Sequence, residues 1–181
     1  MRYYHICQNR DTYGKTPEIS GIFHTLPRKD VKLENSWNVH DLHVKLSANS
    51  FEPFDFLDRN LILISPKLDG FLRKHETEYI TRKVHISLNN GNKGYRYLLP
   101  VFRELDCVDW AKSEIAPDNH RPHIINFDSS CEIPYKVFRL KNAKFRGIER
   151  DVIIIDEDIY RDIRYAGLRG IVLTEINHMD S

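Results

Sequence analysis

Leu61-Ile62-Leu63-Ile64-Ser65-Pro66-Lys67-Leu68 is a short apolar run that leads straight into a helix start. Four consecutive apolar residues, too few for a helix of their own, predict a buried strand. Ser65 can accept from the free N–H groups of a helix start, and Pro66 suits the first helical position, where its missing N–H costs nothing. Leu68, Phe71 and Leu72 then recur at helical spacing, with Lys67, Asp69, Arg73 and Lys74 between them. The pattern predicts a strand running directly into a capped amphipathic helix.

The same design returns near the C-terminus. Val152-Ile153-Ile154-Ile155 is followed by Asp156 as cap and by Glu157 and Asp158, where the helix dipole favours negative charge. Ile159 and Ile163 supply an apolar face, Gly167 is placed to end the helix, and Ile171-Val172-Leu173 predicts a closing strand. Aligning Ile64 with Ile155 also aligns Ser65 with Asp156, Leu68 with Ile159 and Leu72 with Ile163. These are two similar strand–helix–strand units; two copies are too few for a solenoid.

Around these units the strands outnumber the helices. Tyr3 to Cys7 and the alternating Leu42, Val44 and Leu46 predict two strands. Between Gln8 and Pro27 the breakers Gly14, Pro17, Gly21 and Pro27 predict irregular chain. Phe51, Pro53, Phe54, Phe56 and Leu57 form an aromatic-rich cluster expected to pack under a sheet. Val84, Ile86 and Leu88, a turn over residues 89–94, and Tyr95 to Leu98 predict a hairpin. Ala116 to Pro134, rich in proline and polar groups, reads as a long surface excursion. The expected fold is α+β, one domain over residues 1–181, with a mostly antiparallel or mixed sheet and a few short helices.

Composition narrows the function. The chain has 181 residues, 41% hydrophobic and 29% charged, which suits a packed core. No stretch approaches the roughly 18 apolar residues of a membrane span. The start at Met1-Arg2-Tyr3-Tyr4-His5-Ile6-Cys7 lacks the apolar run of a secretory signal, so a cytoplasmic location is expected. Cys7, Cys107 and Cys131 are an odd number without CxxC spacing, a pattern that predicts reduced thiols rather than a disulfide framework.

The net charge of +1 gives no sign of the basic excess that phosphate binding favours. The densest basic stretch, Lys136 to Arg150, carries Val137-Phe138-Arg139-Leu140-Lys141, whose alternation predicts a strand with one solvated face. No nucleic-acid or membrane partner is therefore expected. A homodimer through exposed strand edges is compatible with the pattern but not required by it.

No motif in the sequence names a reaction. His40 with His43, and His120 with His123, have HxxH spacing, but both pairs fall in non-helical surroundings. The first pair would point to opposite faces of a strand, Pro122 interrupts the second, and no cysteine pair completes a zinc site. Asp106, Asp109 and Glu114 flank Trp110; carboxylates can do acid–base work, yet a solvated acidic turn with Trp110 packed behind it is the simpler account. Tryptophan beside charges is also a common anchor composition at interfaces. No dinucleotide fingerprint, phosphate-binding loop or nucleophile elbow is present. No catalytic residue, metal or cofactor is implied.

Several segments together resemble a bacterial immunity-protein family found with polymorphic toxin systems. They are Phe54-Asp55-Phe56-Leu57 with Leu61 to Leu68, then Tyr95 to Val101 running into Asp106-Cys107-Val108-Asp109-Trp110-Ala111-Lys112-Ser113-Glu114. Val137 to Lys141, Val152 to Ile155 and Gly167-Leu168-Arg169-Gly170-Ile171 follow in the family's order, and Tyr3, Tyr4 and Trp37 sit where it often has aromatics. The chain departs from the pattern in an insert over Ala116 to Pro134 and in Asp156, where a serine cap is common. The resemblance implies an inhibitor of a cognate toxin, expected to be a neighbouring gene's product, and supplies no catalytic residues. On that reading Asp106, Asp109, Trp110, Glu114, His120 and His123 are the candidate contact residues. The alternatives are a small metal-dependent hydrolase using the histidines with Asp106 or Asp109, and a nucleic-acid-binding module on Lys136 to Arg150.

Overall fold

A computed structural model describes residues 1–9, 11, 42–46, 51–58, 62–88, 94–115, 122–141, 144–145, 148–149 and 152–176. Most of the breaker-rich stretch after Gln8, together with Trp37, His40, Leu61, the turn at 89–93 and His120, lies outside them. The chain is α+β. Its elements begin with β1 (Tyr3–Gln8), β2 (Leu42–Leu46), β3 (Phe56–Leu57), β4 (Leu63–Ile64), α1 (Pro66–Lys74), β5 (Tyr79–Leu88) and β6 (Gly94–Phe102). They continue with β7 (Glu104–Leu105), β8 (Glu114–Ile115), β9 (Pro122–Ile124), β10 (Val137–Leu140), β11 (Lys144–Phe145) and β12 (Ile148–Glu149). The last are β13 (Ile153–Asp156), α2 (Glu157–Ile163) and β14 (Ile171–Ile176).

Two five-stranded mixed sheets dominate, in the orders β14-β1-β13-β10-β7 and β2-β5-β6-β4-β3. Both repeated units are built as the sequence predicts, and they share a topology that the sequence does not announce. β4 and β5 each pair antiparallel with β6, so they run parallel to one another with β6 between them and α1 as the crossover. β13 and β14 each pair antiparallel with β1, giving the same split arrangement around α2. Ser65 Oγ accepts from Leu68 N–H at 3.1 Å, and Asp156 Oδ1 from Ile159 N–H at 2.9 Å. Each cap satisfies a donor that the first helical turn leaves free.

The matched apolar residues meet in one core. Leu68 and Leu72 of α1, Ile159 and Ile163 of α2, Ile64 of one sheet and Tyr4, Ile6, Ile153 and Ile155 of the other share a buried cluster. A second cluster fills the opposite face of the β2–β3 sheet, where Phe51, Phe54 and Leu57 cover Val84, Ile86, Tyr97 and Leu99. Phe51 and Phe54 thus pack against the sheet as expected, whereas Phe56 and Leu57 are its edge strand β3, Phe56 enters the central cluster, and Pro53 is exposed. The third cluster, on the far face of the β1 sheet, joins Tyr3, Phe138, Leu140, Ile154 and Ile125.

Three expectations need correction. β10 has no solvated face: Val137 enters the central cluster while Phe138 and Leu140 enter the third, because both faces of its sheet are covered. Arg139, on the Val137 side, is neutralised by Glu104 of the parallel neighbour β7. The segment before Pro134 is not simply a surface excursion, since Ile125 is fully buried and the Phe127 ring packs edge-on against Tyr3, 5.2 Å between centroids. Finally, α2 stops at Ile163, and Gly167, with φ of 61°, ends the turns that follow rather than the helix.

Candidate functional site

After β7 the chain leaves the sheet and doubles back on itself, because a short apolar run, Ile124-Ile125-Asn126-Phe127, returns to cover the third cluster. Val108 and Phe127 form an antiparallel bridge, and Asp109 N–H donates to the Asn126 carbonyl at 2.9 Å. β8 pairs with β9 through a bulge at Glu114/Ile115. The two arms are covalently joined: Cys107 and Cys131 form a disulfide with their Cα atoms 5.7 Å apart. This overturns the expectation that these thiols are reduced and unpaired. A separation of 24 residues carries no motif, and proximity arises only when the lobe folds back. Cys7 remains a free, buried thiol.

The candidate contact residues fall on this lobe to the extent that they are described. Asp106 is exposed and accepts from Lys141 Nζ at 2.8 Å. Asp109 organises the turn: its Oδ1 accepts from Ala111 N–H at 3.1 Å, its carbonyl from Ser113 Oγ at 2.7 Å, and Lys112 Nζ lies 3.3 Å from Oδ2. Ser113 Oγ in turn accepts from Asn126 N–H at 2.9 Å, tying the turn to the opposite arm. The backbones of Glu114 in β8 and His123 in β9 lie on paired strands. His120 is outside the described residues.

Trp110 packs its partly buried ring against the third cluster. Its Nε1 is buried with no hydrogen-bond partner among the described residues. Beyond the turn, Asp128 accepts from the Ser130 hydroxyl and backbone N–H, at 2.7 and 2.9 Å, and these bonds hold its carboxyl below the usual range. The lobe is therefore a hydrogen-bonded, disulfide-closed platform in which the Asp106, Asp109 and Asp128 carboxylates are engaged with neighbouring cations and donors. That suits shape-specific contact better than proton transfer.

The alternative chemistries gain nothing from the geometry. Among the described residues no group of three or more histidines, cysteines and carboxylates is arranged to hold a metal ion. In the basic stretch Arg139 and Lys141 are paired with Glu104 and Asp106, while Lys136 is exposed. Among the described residues no helix is long and apolar enough to cross a membrane.

Sequence reading missed the second arm. Its signal was the Ile124–Phe127 run, short and bounded by polar residues. No curated protein matches the chain. A family model does, over residues 36–178, a span that takes in both strand–helix–strand units and the lobe. The chain belongs to the immunity protein family Imm11.

Proposed function

We propose that the protein neutralises a cognate bacterial toxin of a polymorphic toxin system by binding it, as one domain over residues 1–181, without catalysis. Family membership over residues 36–178 is the observation that carries this reading. Inhibition of this kind needs only complementary shape and charge over a standard interface, about 800 Å² on each partner. The lobe supports it with Asp106, Asp109 and Trp110, which with Glu114, His120 and His123 are the proposed toxin-facing set. The partner is expected to be the product of an adjacent gene, met in the cytoplasm.

The disulfide bears on that location, because cytosolic thiols are normally kept reduced. Trapping thiols by alkylation in protein taken directly from cells separates the cases. A cytoplasmic working form shows three modifiable cysteines, whereas only Cys7 reacts in an oxidised one. The function itself is tested by co-expressing the protein with the neighbouring gene's product. Rescue of growth together with co-purification of the inactivated toxin supports the reading; growth arrest without a complex overturns it.

A further inference from the structure

Between α2 and β14 the chain passes through Arg164-Tyr165-Ala166-Gly167-Leu168-Arg169-Gly170. For a surface connection it is heavily braced. Tyr165 N–H donates to the Asp162 carbonyl at 3.0 Å, and the Gly167 carbonyl accepts from Lys67 Nζ. Arg169 and Asp55 exchange two bonds: Asp55 N–H to the Arg169 carbonyl at 2.9 Å, and Arg169 N–H to Asp55 Oδ2 at 2.6 Å. The Gly170 carbonyl accepts from Asn9 N–H at 2.8 Å, so both sheets hold the segment. The Arg169 guanidinium reaches Glu52 and lies 5.6 Å from the Phe54 ring centroid.

On this fixed segment Tyr165 is 86% exposed. Met1 is the other large apolar side chain so exposed among the described residues. Beside it, exposed Arg164 lies 5.6 Å over the ring of Tyr160, which stacks on Tyr4 at 3.7 Å. Neighbouring cations are engaged, Arg161 with Glu157 and Arg169 with Glu52, and Asp162 lies 3.5 Å from His75 Nε2. Among the described residues Arg164 has no carboxylate partner.

We propose that Tyr165 and Arg164 anchor the toxin, inserting the phenol ring into an apolar recess that carries a carboxylate at its rim. This rests on the toxin-binding reading and adds a second contact surface to the lobe. Tyrosine and arginine dominate interface hot spots, and a guanidinium matches a carboxylate in bidentate fashion. A segment ordered beforehand loses little entropy when it docks. A basic partner surface would meet Arg164 unfavourably, so the unpaired guanidinium selects an acidic rim.

The test is calorimetric titration of the intact protein with the inactivated product of the adjacent gene. Tyr165→Ala and Arg164→Ala are each expected to weaken Kd by at least about tenfold. Tyr165→Phe stays near wild type, and Arg164→Glu falls furthest. Thermal midpoints should not move for the Tyr165 variants, whose side chain is in solvent, and should fall only slightly for the Arg164 variants, which lose the contact with the Tyr160 ring. Wild-type binding with both alanine variants within about twofold of it overturns this inference and leaves the toxin reading standing. A wild type that does not bind overturns both.

Discussion

Replacing Cys131 with serine opens the loop that holds the lobe together, and the structure sets the size of the effect. The disulfide closes a sequence separation of 24 residues. Loop-closure entropy lost from the unfolded chain for such a loop amounts to about 3.5 kcal/mol at 25 °C. A urea slope of about 2 kcal/mol per molar, ordinary for a small protein, turns that into a midpoint shift of about 1.7 M. The assay is urea unfolding of wild type and Cys131→Ser, each with and without reductant. Without reductant the variant should unfold well before wild type. With reductant the two curves should converge, since the cross-link is then absent from both. Curves that already coincide in oxidising buffer, with Cys107 and Cys131 both open to alkylation, would refute the reasoning.

Two further predictions concern the segments flanking α2. At Gly170 (φ 76°) an added Cβ would lie 2.7 Å from three Phe54 atoms, whereas at Gly167 (φ 61°) it meets only Lys67 Nζ at 3.6 Å. Gly170→Ala should therefore cost about 3 kcal/mol, strain plus overpacking, and Gly167→Ala about 1 kcal/mol, compared by thermal unfolding; equal losses would contradict the geometry. Asp156 is fully buried with Oδ2 unpartnered among the described residues, and burial raises its pKa above 3.8. The folded state then binds this proton more tightly than the unfolded chain, so the favourable contribution is complete below pH 3.8 and fades as pH rises through the folded value. Asp156→Ser keeps a cap like Ser65 and removes the buried charge. Its stability relative to wild type should rise from pH 3.5 to neutrality, and a gap independent of pH would count against the assignment.

The sequence was most legible where local chemistry and burial agree. Ser65-Pro66 and Asp156-Glu157-Asp158 mark helix starts through their own backbone chemistry, and the apolar runs before them are core strands. The shared split topology was not legible, because β1 and β6 enter the two units from opposite sides in sequence order. β10 misled for a related reason. Alternation at Val137 to Leu140 signals a half-solvated strand only if one face lacks cover, and the cover comes from residues distant in sequence. The disulfide was invisible for the same cause. Of the candidate site, Asp109 and Trp110 could be placed on a turn from their neighbours, but the second arm and the exposed Tyr165 depend on how distant segments meet.

An inhibitor that acts by binding neutralises its toxin stoichiometrically. The most direct measurement is titration of the adjacent gene's toxin, at fixed activity, with increasing amounts of this protein. Toxin activity should fall linearly and vanish at one equivalent, with toxin recovered intact when the complex is dissociated. Protection at far below one equivalent, with the toxin chemically altered, would mean catalysis; undiminished activity at excess would mean that the toxin is not its target.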